Sequence, residues 1–377
     1  MYLTSFDFQI ISSLYNFWAN RKEIPGWHGF SIEAHFPTKR LVLYVDPKAA
    51  IEPVQRIAKL LMGSLPLMGS LPLINSLPVD VLPLPRFRYC GAFAPPPAAL
   101  QLGAGVFAIN KVCGRGPTGS IGGFLKYADA KAGDPLLLLS ACHVLGRKPQ
   151  CRTGDFEIDT DRGSTTLSKN VHAIEINTNG SNQVDAAVAE ISPADVQKMF
   201  QGKVQNLFQG KLLSNIPVPT PRPPENTPVD KLGSTTTLTH GRVVQPSHTI
   251  ELLPSAQIGE AWFEDQILVR STDDTKPFVQ EGDSGGLVVS NGVPVGIVIA
   301  KSEQEDLPDQ PGAPGTATQV DGRYAIVSPI ETVISQLTLL LNRPVEFVPN
   351  PSLAQPVMAP IVAPGQQPQG NRPIATV

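Results

Sequence analysis

The run Gly282-Asp283-Ser284-Gly285-Gly286, in the context VQEGDSGGLVV, carries the sharpest chemical signal in the chain. A serine hydroxyl is a weak nucleophile until a neighbouring base takes its proton, and the oxyanion its attack creates needs preorganised donors. Glycines around the serine let the backbone turn tightly, so that the N–H groups of Gly282 and Ser284 can both point at that oxygen. The same five residues are also ordinary turn composition, so the reading needs a base and an orienting acid elsewhere. LLLLSACHVL places His143 at the end of a buried apolar strand, and NQVDAAVAEI places Asp185 at the start of another. A histidine at a strand end is by itself more often structural than chemical. Ten aspartates lie between His143 and Ser284, and most sit in polar loop contexts or, for Asp283, in the serine turn itself. Asp185 is preferred because the apolar run after it draws its carboxylate into a semi-buried position, where an acceptor that orients a histidine belongs.

Order along the chain separates the folds that could bring such residues together. GDSGG formally satisfies the G-x-S-x-G nucleophile elbow of α/β-hydrolases, but that fold needs its histidine after the serine, and the last histidine here is His248. A subtilisin-like order runs aspartate, histidine, serine, and the segment after Ser284 reads as a β-hairpin rather than a helix. The order His, Asp, Ser remains, which is that of chymotrypsin.

The segments SACHVL, VDAAVA and GDSGGL together resemble the signature segments of trypsin/chymotrypsin-like serine peptidases, over residues of about 104–342. KLGSTTTLTHGRV, the run from Phe278 to Ser284 and VGIVIAKS are similar in particular to a bacterial trypsin-like group whose N-terminal α/β region precedes the peptidase domain. The resemblance implies a mainly β fold of two packed six-stranded antiparallel β-barrels with a C-terminal helix, His143 and Asp185 coming from the first barrel and Ser284 from the second. It implies a serine endopeptidase working through His143, Asp185 and Ser284 by an acyl-enzyme, with Gly282 and Ser284 as the oxyanion hole and no metal or organic cofactor. The alternative is a catalytically silent peptide-binding pseudoprotease acting as an interaction module. By the same resemblance Phe278 lines the floor of the pocket for the P1 side chain, the one before the scissile bond. An aromatic residue there lacks a carboxylate to pair with Arg or Lys, so a small or apolar P1 residue is expected. Ile299, Ala300 and Lys301 are expected to line the edge that pairs with an extended peptide. Lys301 stands where glycine is common and reads as a solvated side chain, or as one that restricts the pocket or favours acidic residues. No Ile-Val-Gly-Gly activation site precedes the first barrel, and SIGGFL at 120–125 fits an early barrel strand. Asp283, whose counterpart in zymogen-activated relatives pairs with a freed N-terminus, is therefore expected to find another partner, and activity is expected without N-terminal cleavage.

The elements that must position these residues follow from patterning. From about residue 104 the chain consists of short β-branched, alternating runs separated by Gly, Asn and Asp, and Asn291-Gly292 is a strong two-residue hairpin signal. SPIETVISQLTLLLN at 328–342 has helical periodicity and is expected to close the folded part, with a Pro/Gln-rich disordered tail at 346–377. The proline-rich stretch 208–228 reads as the connection between the two β halves. Residues 1–95 read as a small α/β accessory domain, with an amphipathic helix over 6–18, a strand in KRLVLYVDPK, a helix in IEPVQRIAKLLM and an extended PVDVLPLPRFR. The repeated LMGSLP, LMGSLP, LINSLP at 61–78 has a proline every six residues and reads as an expanded loop rather than a membrane span. Pro95, Pro96 and Pro97 mark a boundary, and 96–345 is the expected peptidase domain.

Composition narrows the function classes. With 30 basic and 33 acidic residues, the net charge of -3 lacks the footprint of a nucleic-acid binder. The expected partner is a polypeptide substrate, with a protein partner for the N-terminal domain or tail and no membrane contact. Four cysteines, Cys90, Cys113, Cys142 and Cys151, form no CxxC pair and have no zinc-type spacing with histidines. Cys142, beside His143, reads as core. The N-terminus lacks a basic n-region, an unbroken apolar stretch and a cleavage site, so a cytoplasmic protein with reduced thiols is expected.

Overall fold

The computed structural model describes residues 26–35, 38–46, 79–90, 102–107, 109–110, 114–146, 153–160, 163–200, 206–208, 211–213, 222–254, 258–303 and 321–348. The expected helices at 6–18 and 51–62, the LMGSLP repeat, the Pro95–Pro97 boundary and the tail beyond 348 lie outside the described residues.

The described fold is mainly β with a C-terminal helix. Pro228–Gly233 pairs with Thr237–Leu253, and the pairing continues through Ala261–Ser271, Tyr324–Pro329, Val293–Ser302 and Leu287–Ser290 back to Pro228–Gly233, antiparallel at every step. These six strands thus form a closed ring, which leaves no unpaired edge within it. Val229, Val243, Ile267, Val269, Val288, Val298 and Val327 pack into one apolar cluster. The Asn291-Gly292 turn joins two of the strands, with φ of 51° and 77° respectively, the left-handed pair a tight hairpin demands.

A second sheet has the order Thr153–Thr160, Gly163–Ala173, Ala187–Ile191, Leu136–Ser140, Gly123–Tyr127, Val345–Phe347. Its strand Leu136–Ser140 is apolar without alternation because both faces are covered: Leu137 and Leu139 pack into one cluster and Leu138 into another. The helix Ile330–Leu341 buries Ile330, Val333 and Leu337 at helical spacing and ends at Asn342, which takes the left-handed conformation at φ 49°. The helix does not close the fold as expected. Val345–Phe347 follows it and pairs with Gly123–Tyr127, so the C-terminal end adds an edge strand to the second sheet.

The described strands of the N-terminal region continue the ring's sheet. Trp27–His35 and Thr38–Val45 form a hairpin, Val79–Pro83 lies parallel to the latter, and Gly29 and Phe30 pair with Ile250 and Thr249. The first of these strands was not anticipated. Val42, Tyr44, Leu84 and Phe87 share a buried cluster with Ile250, Leu252, Phe263 and Ile299. Phe87–Tyr89 then lies between two strands of the ring, parallel to Leu252–Leu253 and antiparallel to Ala300–Ser302. No described helix is long and apolar enough to cross a membrane.

Candidate active site

His143 follows the strand Leu136–Ser140 in a single helical turn, Cys142–Leu145, whose four residues are all buried. Cys142 packs in the apolar cluster beneath it, as expected. Asp185 lies in the bend before Ala187–Ile191 and is fully buried. Folding brings both to Ser284. His143 Nδ1 is 2.5 Å from Asp185 Oδ2, His143 Nε2 is 2.7 Å from Ser284 Oγ, and the His143 N–H donates to Asp185 Oδ1 at 3.0 Å. Asp185 thus holds both the ring and the backbone of the histidine.

A relay behind Asp185 escaped sequence reasoning. The Asp185 N–H donates to Ser328 Oγ, Ser328 Oγ donates to Gln266 Oε1 at 2.8 Å, and Gln266 Nε2 donates to the carbonyls of Gln183 and Glu264 at 2.7 and 2.6 Å. Ser328 and Gln266 belong to the six-strand ring, so the relay locks the Asp185 bend onto the strands that also frame Ser284.

The Ser284 turn needs its glycines. Gly282 and Gly285 have φ of 100° and 83°, and a Cβ on Gly285 would lie 2.2 Å from Ser140 Oγ. Asp283 does find another partner: Lys231 Nζ lies 2.8 Å from its Oδ2, and neither side chain has any solvent exposure. Burial pulls the Lys231 ammonium below its ordinary pKa, and the charge and hydrogen bond of Asp283 oppose that shift. A sequence signal for this residue existed. Lys231 shares the inward phase of its strand with Val229, where a charge without a buried partner would be costly.

Of the expected binding residues, Phe278 is fully buried, in the cluster that also holds Cys90, Val279 and Val298. Ile299 and Ala300 are fully buried as well. Lys301 is a correction: its side chain is only 2% exposed and its Nζ pairs with Asp321 Oδ2 at 2.5 Å, so it is not solvated. The expected edge is engaged by the chain itself, Ala300 and Lys301 pairing with Tyr89 and Arg88. The Gly282 N–H donates to the Cys90 carbonyl, the Ser284 hydroxyl lies 3.0 Å from Cys90 Sγ, and the Tyr89 and His143 rings are 4.9 Å apart between centroids. Burial pushes the Cys90 thiol up to about 12, so it is a neutral side chain.

No family model matches the chain, and no curated protein matches it. Among solved structures it is similar to Thermobifida fusca protease A, with 17% identity and a TM-score of 0.38 over 67% of this chain and 100% of that one. It is also similar to a glutamic acid specific serine protease, with 16% identity and a TM-score of 0.40 over 66% of this chain and 100% of that one. A third is Nocardiopsis protease, with 16% identity and a TM-score of 0.33 over 64% and 97%.

Proposed function

We propose that the protein is a serine endopeptidase in which Ser284 is the nucleophile, His143 the general base and Asp185 the residue that orients the histidine. The observation that carries this reading is the continuous hydrogen-bonded line from Asp185 Oδ2 through the His143 ring to Ser284 Oγ, at 2.5 and 2.7 Å. As Ser284 Oγ attacks a peptide carbonyl, its proton passes to His143 Nε2, and Asp185 stabilises the imidazolium that forms. The Gly282 and Ser284 N–H groups receive the oxyanion. His143 then gives the proton to the departing amine, and a water activated by the same nitrogen hydrolyses the acyl-enzyme. No step needs a metal or an organic cofactor. Substrate is a polypeptide, held as an added strand along Ile299, Ala300 and Lys301, with a small or apolar P1 residue toward Phe278. General-base catalysis of this kind contributes roughly 10²–10⁴-fold.

Labelling of the full chain by a fluorophosphonate probe in excess, followed to completion, tests the reading. The wild type is expected to acquire one adduct, on Ser284, and Ser284→Ala none. Equal labelling of both, or labelling of neither once the cleft is open, would return the chain to the pseudoprotease reading.

A further inference from the structure

The cleft beside Ser284 holds a peptide, and the peptide is the chain's own. Phe87, Arg88 and Tyr89 run antiparallel to Ser302, Lys301 and Ala300, the edge on which an extended substrate would form an added strand. The next residue, Cys90, places its carbonyl on the Gly282 N–H. Its side chain has no solvent exposure and enters the apolar cluster that contains Phe278, Val279 and Val298. Tyr89 packs its ring against that of His143. Each feature has the register of a substrate acyl group: backbone on the edge strand, carbonyl oxygen on an oxyanion donor, a small apolar side chain toward the pocket, and the preceding residue on the imidazole. Cys90 is followed in the sequence by Gly91 and the rest of the chain, so this is an internal peptide bond rather than a terminus.

We propose that the protein cleaves its own backbone between Cys90 and Gly91, an inference that rests on the peptidase reading above. The Ser284 hydroxyl turns from Cys90 Sγ to donate to His143 Nε2, both within hydrogen-bond reach. Ser284 Oγ bonds to the Cys90 carbonyl carbon, the bond to the Gly91 nitrogen breaks, and that nitrogen leaves with the proton from His143. Water then hydrolyses the Cys90 ester, regenerating Ser284 and leaving a carboxylate on Cys90. The N-terminal strands make the step intramolecular: pairing of Gly29 and Phe30 with Ile250 and Thr249, and burial of Val42, Tyr44 and Leu84, hold the segment in place before the chemistry. The same anchoring keeps the fragment seated afterwards, with its new carboxylate facing Ser284. The cut enzyme is therefore latent until residues 1–90 depart. This separates two events that zymogen activation usually joins. Lys231 already satisfies Asp283, so no new N-terminus is needed to build the site, yet the cleft must still be cleared.

Intact-mass analysis of the purified full chain and of Ser284→Ala tests the proposal. The wild type is expected to convert completely into one fragment ending at Cys90 and one beginning at Gly91, at a first-order rate unchanged by tenfold dilution, and Ser284→Ala is expected to give neither. A wild type that stays whole, is cut only elsewhere, or is cut equally in Ser284→Ala overturns it. Cys90→Arg, whose long charged side chain cannot enter the apolar cluster, separates this outcome from failure of the peptidase reading. An uncut wild type with Ser284 labelled by the probe in Cys90→Arg sinks self-cleavage alone, and an uncut wild type with no labelling in either protein sinks both. Arg88→Pro, which removes a backbone donor from the segment, serves in the same comparison should Cys90→Arg not fold.

Discussion

Two buried polar groups, one beneath the Ser284 turn and one on a strand of the ring, have opposite surroundings. Asp283, under the Ser284 turn, accepts hydrogen bonds from Lys231 Nζ, the N–H groups of Thr235, Thr236 and Gln280, and Thr236 Oγ1, all between 2.7 and 3.2 Å. His248, where the N-terminal hairpin meets the ring, is equally buried, yet neither of its ring nitrogens has a hydrogen-bond partner among the described residues. Its neighbours are the Tyr44 ring, edge-on at 4.7 Å, and His28, which spends Nε2 on the Leu84 carbonyl at 2.8 Å. A satisfied polar cluster fixes geometry, while an unsatisfied one carries a cost that separation would relieve. The contrast matches the two tasks inferred above: the site must hold its shape, and the N-terminal segment must eventually leave it.

The largest expected effect lies on the satisfied side. Asp185→Asn keeps the shape but replaces one acceptor with a donor facing His143 Nδ1, favouring the wrong tautomer. The rate of Ser284 labelling should fall by about 10⁴-fold, roughly 5 kcal/mol, with little change in stability. An unchanged rate would mean that the line of hydrogen bonds does no chemistry.

Next in size is Asp283→Ala, which strands the Lys231 ammonium in the interior with Thr236 Oγ1 as its remaining partner. The expected loss is about 3–5 kcal/mol of folding free energy, read by urea unfolding. Replacing Lys231 and Asp283 together by Met and Leu should be markedly less costly than Asp283→Ala, because no charge is then left buried. If the single and double variants lose the same stability, the pair is not coupled and the satisfied half of the comparison fails.

Much of the site was legible in the sequence because its signals are local. The glycines around Ser284, the apolar strands that bury His143 and Asp185, and Asn291-Gly292 each act within a few residues of themselves. Lys231 was harder: its inward phase is visible, but the acceptor lies 52 residues away. PVDVLPLPRFR read correctly as extended, yet nothing within it says that Phe87–Tyr89 will lie against Ala300–Ser302 more than two hundred residues later. Trp27–His35 was missed because its pattern is irregular, although its hairpin partner Thr38–Val45 is adjacent in the chain; only its second partner, Thr237–Leu253, is remote. Lys301 misled because a surface fate is the usual one for lysine, and the distant Asp321 reverses it. Local propensity foretold elements, and long-range pairing decided what they meet.

The smallest and most specific effect concerns the unsatisfied side. Burial lowers His248 to about 3 and His28 to about 4; the Leu84 carbonyl, Asp46 and the Val45 backbone oppose the shift at His28, Arg86 adds to it, and His28 adds to that at His248. The neutral forms therefore belong to the docked state. Once the N-terminal strands lift away, both rings regain a value near 6.5 and take up protons more readily than in the docked state. Docking is at full strength above about pH 6.5 and weakens as the pH falls toward 4, by roughly 1 kcal/mol per pH unit for each histidine. In a chain already cut after Cys90, fragment 1–90 should thus dissociate faster at pH 5 than at pH 7.5, followed by size-exclusion chromatography. His248→Leu removes both unsatisfied nitrogens and keeps an apolar side chain against Tyr44. It should tighten docking at neutral pH by about 1–2 kcal/mol and halve the pH dependence, leaving the His28 part. Release that is independent of pH in the wild type, or a His248→Leu chain that releases its fragment more readily at pH 7.5, would show that the unpartnered imidazole is no weak point of this interface.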